Sequence, residues 1–249
     1  MQKPRDKATN SYPMRINKYL AKQGIATRRG ADDLVEKGKV TINGRVAELG
    51  DKVFEADKVE LAGSLPPKHH LYFAYNKPIG VITHSPQLCE KDIKQSVQEK
   101  EMQGVFPVGR LDKASSGLII LTNDGRVTDR LLSPAYNHDK EYRVQTLDPL
   151  REGFKKAMEA GVNIEGYVTK RCSVRKTGPK SFVITLTEGK KHQIRRMVTV
   201  LHNQVTALER TRILNIKLGN LAPGKWRAIE GAELANLLSA IGIPASSEA

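Results

Sequence analysis

The chain has 249 residues, enough for one large domain or for a small module joined to a larger one, and in either case enough to bury a core. It carries 41 Lys and Arg against 27 Asp and Glu, a formal charge of +14 with a pI near 9.8; that excess favours a polyanionic partner, nucleic acid before an anionic membrane surface, over a small neutral substrate. No apolar run approaches the ~18 residues of a spanning helix, lipidation motifs and a signal-peptide core are absent, and two cysteines, Cys89 and Cys172, make neither a disulfide framework nor a Cys-built zinc site, so a cytoplasmic protein is expected.

Residues 1–13 are polar, contain Pro4 and Pro13, and read as a flexible arm. From Met14, apolar residues Ile16, Tyr19 and Leu20 at helical spacing predict a helix that Gly24 ends. Thr27 is placed to cap a second helix, RRGADDLVEKG, stopping at Gly38. Short alternating stretches follow: KVTI, an Asn43-Gly44 turn, RVAEL, a Gly50-Asp51 turn, and KVEL ending at Leu61. Residues 14–61 thus form a compact unit of two helices and a small sheet.

Residues 62–70, AGSLPPKHH, read as a linker stiffened by Pro66-Pro67. Residues 71–249 mix strands and helices without a βαβ rhythm. LYFAYN, GVIT, GLIILT, KEYRVQTL, YVTKRCSVRK and SFVITLT are strand-like, and helices are expected around 126–132, 150–160, 190–202 and 231–240. The fold class is α+β, with a mixed, largely antiparallel sheet flanked by helices in the larger domain. Both parts are basic: residues 1–70 hold 14 basic and 9 acidic residues, and residues 71–249 hold 27 and 18.

Arg15, Lys18 and Lys22 recur at spacings of three and four, and Arg28 and Arg29 open the second helix. Any one such helix is most often a solvated face; two with aligned basic residues in a chain of this charge point to phosphate contacts. The stretch MRINKYLAKQGIATRRGADDLVEKGKVTINGRV resembles the small RNA-binding domain first described in the small-subunit ribosomal protein S-four. The resemblance implies structured RNA as the partner but names no reaction.

In VGRLDKASSGLIILTNDG, residues 108–125, a polar knot ends at Asp112 and leads into an apolar strand. From local pattern alone most such aspartates are caps or surface groups. In LTEGKKHQIRRM, residues 186–197, Ile194, Met197, Val198 and Leu201 form an apolar stripe with Lys191, Arg195 and His202 on a neighbouring face. A guanidinium brought to Asp112 would favour its charged form, as a nucleophilic carboxylate requires. Tyr142, in HDKEYRV, alternates with charges in a strand; a core role is the default and a surface for stacking a flipped base the functional alternative.

Together these pieces resemble the pseudouridine synthases, in the branch (the RsuA, RluB, RluE and RluF group) that carries an S-four-like domain in front and acts on ribosomal RNA. Further matches are NKPIG at 76–80, GKKHQIRRM at 189–197 and LERTRILNIKLGNLAPGKWR at 208–227. FPVGRLDKASSGL, GVNIEGYVTKRCSV and LERTRILNI look most like the RluF-type members, which modify large-subunit RNA. The resemblance implies Asp112 as catalytic aspartate, Tyr142 as base-stacking tyrosine, Arg195 as the basic partner of the aspartate, and Arg110 in base flipping or phosphate contact, with Lys191 also toward RNA. Ser115 replaces the commoner threonine, and His192 stands where many branch members have arginine.

Such an enzyme isomerises a specific uridine, most fittingly in 23S rRNA, needs no cofactor or metal, and is expected to act as a monomer. The same chemistry on transfer RNA and a catalytically silent rRNA-binding assembly protein are the alternatives. The sequence contains neither G-x-x-x-x-G-K-[ST] nor H-E-x-x-H. A hydrolytic glycosidase would want two facing carboxylates; Asp124 could be the second, but Asn123-Asp124-Gly125 reads as a turn.

Overall fold

In the computed structural model, which describes residues 12–62, 70–83, 93, 102 and 104–244, the first element is a strand and not a helix. β1 (Met14–Arg15) leads into α1 (Ile16–Lys22), followed by α2 (Arg28–Glu36), β2 (Val40–Ile42), β3 (Arg45–Val46), β4 (Lys52–Val53) and β5 (Val59–Leu61). β1 pairs antiparallel with β4, Met14 opposite Val53, so Arg15 is extended backbone ahead of α1 and only Lys18 and Lys22 lie on that helix. Two residues are too few to show a period of two, which is why the sequence pattern runs the helix on from Met14.

Thr27 caps α2, its Oγ1 accepting from the Gly30 amide at 3.1 Å. The Asn17 side-chain amide donates to Asp32 at 2.8 Å and ties the two helices together. Asn43 and Gly44 both have positive φ, the conformation a two-residue hairpin turn requires, and they join β2 to β3. Ile16, Leu20, Ala31, Val35, Val40, Ile42 and Val53 form the core under both helices.

The chain divides into two compact units, Met1–His70 with Asp124–Arg126, and Leu71–Asn123 with Val127–Ala249. Most of the arm and of the linker, and Cys89, lie outside the described residues.

The second unit contains, in order, β6 (Tyr72–Lys77), β7 (Phe106–Val108), β8 (Ser116–Thr122), α3 (Arg126–Leu132, all but its first residue), β9 (Lys140–Thr146), α4 (Phe154–Ala160), β10 (Asn163–Ile164), β11 (Tyr167–Val168), β12 (Ser173–Gly178), β13 (Ser181–Leu186), α5 (Gln193–Val200), β14 (Val205–Ile213), β15 (Ile216–Lys217), β16 (Trp226–Ala228) and α6 (Gly231–Ala240). Among the described residues nine of these strands make one sheet, in the order β12-β13-β9-β14-β8-β6-β16, with β15 added to β14 and β7 to β8. Every pairing in it is antiparallel except β8 with β14. The α+β class with a mixed, largely antiparallel sheet is therefore what forms.

β6 is buried along its whole length and β8 from Gly117 onward, because both their faces are covered. Tyr72, Ala74, Leu118 and Ile120 pack with Val127 and Leu131 of α3 and Leu237 and Leu238 of α6. Phe73, Tyr75, Ile119 and Leu121 face the other way, with Leu111, Ile93 and Met102. Further along the sheet, Phe154 and Met158 of α4 and Ile194, Met197 and Val198 of α5 cover Val144, Phe182, Ile184 and Leu208.

Four sequence expectations change. YVTKRCSVRK is two elements, β11 pairing β10 and β12 pairing β13. GVIT contributes an isolated bridge at Ile82. The helix expected over 150–160 starts only at Phe154, after Gly153 with φ 76°, and α5 starts at Gln193, which leaves Lys191 in the preceding turn. β14, central to the sheet, was not expected at all: its alternation is broken by Glu209, Arg210 and Arg212, and Arg210 is buried.

Candidate active site

Asp112 sits on the connection from β7 to β8, and that connection is pinned from three sides. Thr83 Oγ1 accepts from the Leu111 amide at 3.1 Å and donates to the Leu111 carbonyl at 2.9 Å, a two-bond clip that is itself buried. The Gly80 amide donates to the Lys113 carbonyl at 2.8 Å. Arg195, from α5, donates through Nη2 to the Ala114 carbonyl at 2.9 Å and Ser115 Oγ at 3.4 Å, and through Nη1 to the Val205 carbonyl at 3.2 Å. The Ser115 amide closes the turn on the Asp112 carbonyl at 3.0 Å.

The loop opens on a cleft of about 640 Å³ whose lining includes Arg110, Asp112, Tyr142, Lys191 and His192. Five of the residues that sequence reasoning singles out or remarks on therefore share one cavity. Arg195 departs from expectation: its guanidinium is spent on the carbonyls of Ala114 and Val205, and it forms no ion pair with Asp112. Among the described residues, the basic side chain within ion-pairing distance of the Asp112 carboxylate is His192, with Nε2 3.4 Å from Oδ1. Lys191, displaced from the helix, lines the rim.

One row of the sheet, which reaches the cleft at Tyr142, buries charged residues that the pattern did not announce. Lys77, Gly117, Arg210, Tyr142 and Ile184 are register partners in one row across β6, β8, β14, β9 and β13. Paired residues project to the same face, so Lys77, Arg210 and Tyr142 share one. Lys77 is 0% exposed and donates to the Pro78 carbonyl at 2.8 Å. Burial pushes its ammonium down to about 8, opposed by the negative charge of Asp112. Arg210 is 4% exposed; its Nε donates to the Leu118 carbonyl at 2.7 Å, and its Nη2 is buried with no hydrogen-bond partner among the described residues. Burial, with the Arg210 charge adding, holds the Lys140 ammonium below its usual range.

Glu188, also missed, lies at the wall of the cleft and is 5% exposed. It accepts from the Tyr167 hydroxyl at 2.6 Å, the Lys170 amide at 3.0 Å and Gln193 Nε2 at 2.6 Å. Three donors make it a fixed acceptor and not a free acid. Asp124 is fully buried against the Arg126 guanidinium, its Oδ1 accepting from the Arg126 amide at 3.0 Å at the start of α3. It is a helix cap, as the turn reading implied, and it does not line the cleft. Among the described residues no group of three His, Cys, Asp or Glu is placed to hold a metal ion, and no helix is long and apolar enough to cross a membrane.

Arg15, Lys18 and Arg28 are exposed on the first unit and Lys22 is partly covered; Arg29 lies in the first turn of α2.

The profile of the family described as RNA pseudouridylate synthase matches residues 71–199, and that of the S4 domain matches residues 14–59. The chain is 41% identical over 231 residues to the dual-specificity RNA pseudouridine synthase RluF of Salmonella typhi, covering 91% of this chain and 79% of that one. It is 41% identical over 232 residues to the protein of the same name from Escherichia coli strain K12, covering 92% and 79%. With the ribosomal large subunit pseudouridine synthase B of Bacillus subtilis strain 168 it shares 34% identity over 233 residues, 90% and 95% of the two chains. A crystal structure of a pseudouridylate synthase superposes with a TM-score of 0.68 at 27% identity, over 90% of this chain and 99% of that one.

Proposed function

The chain belongs to the RNA pseudouridylate synthase family, with an S4 domain in front, and is an isomerase of uridine in RNA; from that premise we propose that its substrate is a specific uridine of large-subunit ribosomal RNA and that Asp112 carries the chemistry. The observation that supports the assignment most is the placing of Asp112 in the cleft with Tyr142, on a loop held by Thr83, Gly80 and Arg195.

The reaction breaks the N1–C1′ glycosidic bond, turns the base, and joins C5 to C1′; the C5 proton leaves and N1 gains one. One carboxylate acting on the sugar suffices, as nucleophile at C1′ or as base at C2′. The uridine reaches it by flipping out of its helix, with Tyr142 offering a ring for the base and Arg110 and Lys191 contacting phosphate. The S4 module adds affinity for structured RNA through Arg15, Lys18, Lys22, Arg28 and Arg29, without taking part in chemistry. A monomer acting in the cytoplasm, where ribosomal RNA is met, completes the reading.

The name of the 41%-identical relatives records two specificities, which supports a second reading, the same chemistry on transfer RNA. Mapping pseudouridine in RNA from cells lacking the gene, by carbodiimide-dependent reverse-transcription stops, tests both. Loss of one site in large-subunit RNA is the expected result. Loss only in transfer RNA selects the second reading, and no loss in any RNA refutes both.

A further inference from the structure

The turn ahead of α5 is a closed ring of hydrogen bonds. The Lys190 amide donates to Gln193 Oε1 at 2.9 Å and the Gln193 amide donates to the Lys190 carbonyl at 3.1 Å. Gln193 is buried and donates through Nε2 to Glu188 at 2.6 Å, so the ring is anchored to the fixed carboxylate of the cleft wall. His192 lies at the end of this ring with φ 53° and ψ 26°, a left-handed conformation that few non-glycine residues adopt without local support. Its carbonyl accepts from the Arg196 amide at 3.0 Å in the first turn of α5. With its backbone held at both ends, the direction of the imidazole is set by the fold.

That direction leads to Asp112. Nε2 lies 3.4 Å from Oδ1, and the two side chains are 47% and 40% exposed. The carboxylate accepts no hydrogen bond from the described residues, so Oδ2 is left open to the cleft. Arg195, which carries a planar fork of donors, is turned away to backbone carbonyls.

We propose that His192 is a positioning residue for Asp112: its imidazole holds Oδ1 and leaves Oδ2 for the ribose of the flipped uridine. The proposal rests on Asp112 being the reacting carboxylate. Other charged groups face the same cleft: Arg110 and Lys113 from the loop of Asp112, Lys190 and Lys191 from the turn of His192, and Glu188 just beyond β13; Lys77 of β6, buried outside the lining, feels the charge of Asp112. The cations supply a general positive field, and His192 adds a directed contact.

The test is single-turnover release of tritium from C5-labelled ribosomal RNA by the full chain, across pH, for the wild type and for Asp112→Asn, His192→Asn and His192→Arg. Asparagine tolerates the left-handed turn but cannot become a cation; arginine restores the charge. His192→Asn is expected to turn over about tenfold more slowly, within the range that misplacing a reacting group costs, with RNA affinity unchanged and the acid limb moved to higher pH. His192→Arg is expected to recover most of the rate. A wild-type rate and profile in His192→Asn overturns the proposal, as does an equal loss in both His192 variants, which would mark a role in the shape of the turn alone. Substantial turnover by Asp112→Asn refutes the catalytic assignment and the proposal with it, whereas a dead Asp112→Asn beside an unimpaired His192→Asn refutes the proposal alone.

Discussion

Arg195 Nη2 donates to the Ala114 carbonyl at 2.9 Å, two residues past Asp112 and on the backbone that carries it. The same guanidinium holds the Val205 carbonyl, so it ties the Asp112 loop to the first residue of β14. Lysine keeps one donor of this fork and loses its planar span. Arg195→Lys should be partly active, and Arg195→Met should lose about 10²-fold in single-turnover rate, as a displaced catalytic group does. Because Arg195 does not touch the carboxylate, the acid limb of the pH–rate profile should stay where it is in both variants.

Asp112→Asn should abolish isomerisation while leaving RNA affinity within a few-fold. Asparagine keeps the size but is neither nucleophile nor base, and Glu188 at the cleft wall is committed to fixed partners. Tritium release from C5-labelled RNA measures the first part and filter binding the second.

The parts of this molecule that were legible in sequence are those set by neighbours in the chain. Thr27 three residues before an amide it caps, Asn43-Gly44 between two short strands, and the Asp124 turn ahead of α3 all behave as their local chemistry predicts. The pairing of Asp112 with His192 was not legible, because it joins positions 80 residues apart through a sheet and a turn whose approach no spacing encodes. Lys77 was read only as part of a family match, since a lysine at the end of a strand is normally solvated; here the row Lys77–Gly117–Arg210 buries it. β14 was missed for the same reason, as charged residues inside a sheet erase the apolar alternation that marks a strand.

Tyr142 should separate stacking from proton handling. Tyr142→Leu should lose base–aromatic stacking of about 1–3 kcal/mol, read as weaker binding of the flipped base. Tyr142→Phe should keep that binding; if the hydroxyl moves a proton in a later step, this variant binds normally and turns over slowly. Fluorescence of a base analogue at the target position follows the first effect, and single-turnover rates the second.

Lys77 gives a pH dependence of known sign. Its ammonium is pushed from the usual 10.5 down to about 8, so between those values the unfolded chain holds a proton that the folded chain has released. Stability should therefore rise with pH across that window and level off below about 8, where both states hold the proton, a slope that Lys77→Met should remove. Denaturant midpoints at pH 7, 8 and 10 measure it. The rate should decline as pH rises through about 8, when the positive charge near Asp112 is lost, and the Met variant should lack that decline.

Gly117→Ala should damage the fold more than its size suggests. Gly117 has φ 104°, and a Cβ there would fall on the Arg210 carbonyl oxygen and lie 2.6 Å from the Arg210 nitrogen, all backbone of β14. Neither strand can yield without breaking the register, so a loss of at least ~2 kcal/mol is expected. Chemical denaturation of the variant checks it.

The single parallel pairing among the described residues, β8 with β14, also implies an order of events during translation. Before Val205–Ile213 leaves the ribosome, the nascent domain can make two separate antiparallel pieces, β6 with β7 and β8, and β9 with β13 and β12. Each forms from pairings made upstream of β14, and neither contains the whole cleft: Asp112 precedes β8 in one and Tyr142 lies on β9 in the other. β14 lies between them in the sheet, so a cleft lined by both Asp112 and Tyr142 should form only once β14 is added, by one late, long-range event. A chain stalled before residue 205 is expected to carry Asp112, Tyr142, His192 and Arg195 without the complete cleft.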